Sequence, residues 1–90
     1  MTTLRAEIAR IMPPAYFPDL DRALPVLWEQ VRGLPVSEAH RDFIRLCIGP
    51  AGGEGIAECL TRHGSWSTTL YVGGMTTWTA HRITIATHRP

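Results

Sequence analysis

The residues best suited to chemistry lie together in Cys47–Gly64, "CIGPAGGEGIAECLTRHG". Cys59 and His63 stand four residues apart, while His40 and Cys47 precede a run containing Gly49, Gly52, Gly53 and Gly55. Three chemistries suit such a stretch: a phosphate cradle, a zinc site and a cysteine nucleophile. Each makes demands on the rest of the chain.

A Walker A loop needs a lysine to reach the outer phosphates, and the chain has no lysine at all. A dinucleotide or methyl-donor loop needs a strand before it and an acid after the next strand, but no acid follows Glu58. Glu54 would also project its charge where a phosphate should sit. What remains is a nest of backbone amides at a helix start, or simply the corner between two helices.

For zinc, Cys59 and His63 have the spacing to chelate from one helical face. The only further pair is His40 and Cys47, about 10.5 Å apart along a helix axis and too distant to grip one ion together. A cysteine nucleophile would need a base and an oxyanion hole, and only the Cys59–His63 pairing is offered. The acids are scattered singly, so general acid–base work has no partner set. The sequence therefore argues against an enzyme and implies no cofactor or metal.

Those residues must be positioned by a small fold. Ninety residues form a single domain, 1–90, burying about 60–65% of the unfolded surface. A hydrophobic fraction of 44% with 19% charged residues excludes a disordered chain. No run approaches a membrane span, the N-terminus does not read as a secretory signal, and two cysteines fit a reducing cytoplasm. All nine basic residues are arginine and asparagine is absent, as the codon bias of a GC-rich bacterial or phage genome would produce. Charge is unevenly placed. Residues 1–58 carry six arginines against eight acids, whereas 59–90 carry Arg62, Arg82, Arg89, three histidines and no acid.

Periodicity predicts helices first and strands last. Leu4, Ile8, Ile11 and Met12 fit a helix ended by Pro13-Pro14. Leu20, Ala23, Leu24, Leu27, Trp28 and Val31 form a stronger stripe. Pro25 interrupts it, so a short turn over 19–23 and a regular helix from Pro25 to Gly33 are expected. Ser37 caps a third helix whose Ala39, Phe43, Leu46 and Cys47 share one side, stopped by Gly49-Pro50. "SWSTTLYV" and "MTTWTAHRITIATH" read as strands joined by a two-residue turn at Gly73-Gly74. In that register Thr69 faces Trp78 and Trp66 faces His81. One face carries Trp66, Leu70, Val72, Met75, Ile83 and Ile85 as core; the other carries Tyr71, Trp78, Ala80 and Arg82.

The expected architecture is α+β: three or four helices on a C-terminal antiparallel hairpin. Two strands alone are marginal, so a third is expected to pair with the hairpin. The pattern does not show its source, and 43–48 or 56–61 would supply it only if those stretches are strand and not helix. The expected function is non-catalytic binding of another protein with an acidic surface, as adaptor, subunit or inhibitor. Tyr71, Trp78 and Arg82 would be the partner-binding residues, because tyrosine, tryptophan and arginine anchor interfaces most often. The bland reading of the same trio is an aromatic diagonal that only stabilises the hairpin. Helices 37–48 and 55–63 followed by a hairpin are also similar in outline to a winged helix-turn-helix. That likeness implies nucleic-acid binding as the alternative, against which Glu54 and Glu58 on the reading helix weigh.

Overall fold

The computed structural model describes residues 3–50, 52–73 and 77–89. They form a small α+β arrangement of three helices on one four-stranded antiparallel sheet. The elements run β1 (Thr3–Ile8), β2 (Met12–Phe17), α1 (Leu20–Arg32), α2 (Glu38–Ile48), α3 (Glu54–His63), β3 (Ser65–Gly73) and β4 (Trp78–His88). Strand order is β2-β1-β4-β3, so the two ends of the chain meet at the sheet centre.

The expected N-terminal helix is a β-hairpin instead. Leu4, Ala6 and Ile8 are buried while Thr3, Arg5 and Glu7 are not, a period of two. Leu4 and Ile8 fit both periods, four being a multiple of two as well as one helical turn. Long-range pairing decides the matter: Ala6 lies beside Ile85, and Ile8 beside Ile83. The third and fourth strands thus come from the N-terminus, and 43–48 and 56–61 are helical. Pro13 and Pro14 sit in β2, an edge strand, where a missing N–H costs no central ladder bond.

The first helix also differs from expectation. It begins at Leu20, because Asp19 accepts a hydrogen bond from the Arg22 amide (3.1 Å) and caps it. Pro25 lies inside it on the solvent side, and the buried stripe of Ala23, Leu24, Leu27 and Val31 outweighs the lost bond. Ser37 caps α2 as expected, through the His40 amide. The expected apolar side of α2 does not face the core, however. Ile44 and Ile48 are buried, while Phe43 and Leu46 are 50% and 75% exposed. A pair four apart on the inner face suffices for this short helix, and the other apolar residues are left outside.

The hairpin register is shifted by four residues from the expected one. Thr69 pairs with Arg82, Trp66 with Ile85, and Gly73 with Trp78. The connection is therefore longer than the expected two-residue turn at Gly73-Gly74; Gly74 of that turn and Met75, expected on the core face, lie outside the described residues. An even shift leaves every side chain on its expected face. Leu70, Ile83 and Ile85 are fully buried, with Trp66 and Val72 packed against them. The helices cover this face, and the opposite face of the sheet is left open.

Candidate functional site

The Cys47–Gly64 stretch is the α2–α3 corner. Gly53 takes φ +111° where α3 starts, a conformation that favours glycine, and a Cβ at Gly52 would collide with the Cys47 carbonyl. The loop shares a cavity with Asp19, Asp21 and Glu54. Three carboxylates around a backbone nest repel a phosphate. Cys47 and Cys59 are both free and line one cavity of ≈ 380 Å³ with Leu46 and Trp66, and burial pushes the Cys47 thiol up. His40 is committed elsewhere, its Nε2 accepting the Tyr71 amide at 3.0 Å. Among the described residues no group of three or more His, Cys, Asp or Glu side chains is placed to hold a metal ion.

The open sheet face presents a different constellation. Strands β3 and β4 run past the end of β1, which pairs with β4 only over Ile83–His88, so residues 69–73 and 78–82 form a two-stranded arm. On its uncovered side Trp78, Ala80 and Arg82 follow one another along β4, about 7 Å apart. Tyr71 lies opposite Ala80. The small Ala80 side chain leaves a slot with Trp78 at one end, Arg82 at the other and Tyr71 along one side. Arg10 closes the fourth side, its Nη2 donating to the Ala80 carbonyl at 2.7 Å. Trp78 is 50% and Tyr71 49% exposed.

Local structure fixes each of these groups. Arg10 occupies the β1–β2 turn at φ +65°, and that turn is tied to the arm by Ala9 N–H to the Arg82 carbonyl (2.9 Å). His81 Nδ1 contacts the Ala9 carbonyl (2.8 Å) from the helix side. Arg82 Nη1 donates to Ser67 Oγ at 3.0 Å. Towards the sheet's far end the open face continues through Glu7, Arg5, Tyr16 and His88. Glu7 is held by Arg5 at 2.8 Å, and the Tyr16 and His88 rings are 5.0 Å apart. Arg10 and Arg82 have no carboxylate partner among the described ion pairs, so the slot is cationic and aromatic together.

The structure brings Tyr71, Trp78 and Arg82 to one surface but alters their contacts. Tyr71 does not stack on Trp78; its ring meets His40 edge-on at 5.5 Å, and His40 in turn stacks with Phe43 at 6.2 Å. The four-residue register shift places Trp78 beside Gly73 rather than Thr69, on the far side of Tyr71 from Arg82. Arg10 and Tyr16 were missed because the helical reading of 4–12 left both outside any sheet. The alternation Leu4, Ala6, Ile8 was the signal that would have found them. No family model, curated protein or solved structure matches the chain.

Proposed function

We propose that the protein is a non-catalytic binding module that docks an acidic segment of a protein partner on the open face of its sheet. The observation that carries this reading is the slot over Ala80, where two arginines with no carboxylate partner among the described residues flank half-exposed Tyr71 and Trp78. Aromatic rings supply contact area with little rotamer loss, and guanidinium groups bind carboxylates bidentately. Helices α1, α2 and α3 occupy the other face and leave this one free for an adaptor, subunit or inhibitor role in the cytoplasm.

Affinity capture from the host's lysate with wild type and with Trp78→Ala/Arg82→Glu tests this, read by quantitative mass spectrometry. A protein with an acidic segment should be retained by wild type and lost from the variant, whose melting temperature stays within a few degrees. A captured nucleic acid with steep salt dependence would instead favour the nucleic-acid alternative, since counterion release scales with phosphate contacts. Equal retention of all partners by the two proteins refutes the assignment of this face.

A further inference from the structure

The second surface lies along the outer edge of β3. Backbone groups of the odd-numbered residues point away from β4 here. Those of Gly73 and Tyr71 are covered, by the Pro35 carbonyl (2.8 Å) and by His40 Nε2 (3.0 Å). Below them the outward amides of Ser65, Ser67 and Thr69 have no partner among the described hydrogen bonds. Proteins blunt such edges with charge, proline or cover, because an unpaired edge recruits another strand. The opposite edge, β2, carries Pro13 and Pro14. By contrast β3, "SWSTTLYVG", has neither a charge nor a proline.

Helix α2 runs beside this open edge. It starts at its capped end, where His40 meets Tyr71, and its last turns reach the cavity that Leu46 and Cys47 share with Trp66. Between those two contacts α2 carries Phe43, stacked on His40, and Leu46 about one turn on, and they remain 50% and 75% exposed. The neighbouring charges are neutralised locally, Asp42 by Arg45 (3.3 Å) and Glu58 by Arg62 (3.0 Å).

We infer that this edge pairs with the same edge of a second copy, antiparallel about a two-fold axis at Ser67, joining two four-stranded sheets into one. An unpaired edge calls for an extended strand. The chain's other edge is disqualified by its prolines, so β3 is the edge it can offer, and antiparallel pairing of β3 with itself closes as an isologous dimer. The axis places Ser65 opposite the partner's Thr69 and Trp66 opposite the partner's Thr68, uncharged pairs that suit adjacent strands. Because the axis is perpendicular to the sheet, both helix layers lie on one side. The two Phe43–Leu46 stripes then cover each other, and both slots over Ala80 face the same way.

Sedimentation equilibrium of the full chain tests this from micromolar to sub-millimolar concentration. The expected species has twice the 10.0 kDa chain mass. Ser67→Lys sets two ammonium groups opposite each other across the axis and should raise the dissociation constant at least about tenfold. Raising salt should restore part of the dimer by screening. Leu46→Arg, at a site already outside the core, should weaken the dimer likewise and carries the test should Ser67→Lys not fold by circular dichroism. A wild-type protein that stays monomeric throughout, or a folded variant that dimerises as wild type does, overturns the inference.

Discussion

Leu27→Ala probes the arrangement of helix on sheet more sharply than any other single change. Leu27 is fully buried in the cluster that includes Leu24, Val31, Ile44, Ile83 and Ile85. Truncation removes three carbon atoms, worth about 2.4 kcal/mol at about 0.8 kcal/mol per buried methylene. The cavity left between α1 and the sheet raises the total to about 3–5 kcal/mol, because close-packed neighbours relax only in part. Against a margin of about 5–13 kcal/mol for a chain of this size, that is a large fraction. The melting temperature should fall by about 12–40 °C, at about 4–8 °C per kcal/mol for a domain of this size. The assay is urea unfolding followed by far-ultraviolet circular dichroism, with Val26→Ala as the neighbouring control. Val26 is 39% exposed on the same helix. Its truncation should stay within about 0.5 kcal/mol. If the two variants unfold at the same urea concentration, α1 does not face the sheet as described.

Three further predictions concern the α2–α3 corner. Gly53→Ala, at φ +111° with a new Cβ 3.0 Å from Leu24 Cδ1, should cost about 1–3 kcal/mol in the same assay. Gly55→Ala, which meets nothing within 4 Å inside α3, should be neutral or stabilise by up to about 1 kcal/mol. Burial raises the Cys47 thiol above its ordinary 9.0, so less thiolate is present in the folded chain. Iodoacetamide at about pH 8 should modify Cys47 more slowly in native than in urea-unfolded protein, as peptide mapping would show. The sign for stability follows: this contribution is complete below the unfolded pKa and is lost as pH rises through the folded one.

Much of the chain from Gly33 onward was legible because its signals are local. Ser37 as a cap, Gly33 and Gly49 as helix ends, and the alternation of Leu70, Ile83 and Ile85 depend on neighbours in sequence. The open face survived an incorrect register because a shift of four residues preserves side-chain parity. The N-terminal hairpin was not legible. Its β1 gains its identity from β4, some eighty residues away in the chain, and Leu4 with Ile8 satisfies a helical spacing equally well. Phe43 and Leu46 misled for a related reason: periodicity marks an apolar side of α2 but does not say that Ile44 and Ile48 will take the core. The slot over Ala80 was visible only in part, since Arg10 reaches it from a turn that the helical reading had removed.

The claim that the uncovered sheet face is the working surface is tested most directly by amide correlation spectra of isotope-labelled protein in clarified host lysate. Partner engagement should broaden or shift the signals of Arg10, Ser67, Tyr71, Trp78 and Arg82 while those of Asp21, Pro25's neighbours and Glu29 on α1 persist. Trp78→Ala/Arg82→Glu should remove the effect without disturbing Leu27 or Ile44. Perturbations confined to α1 and the α2–α3 corner, with the arm's signals unchanged, would contradict the account.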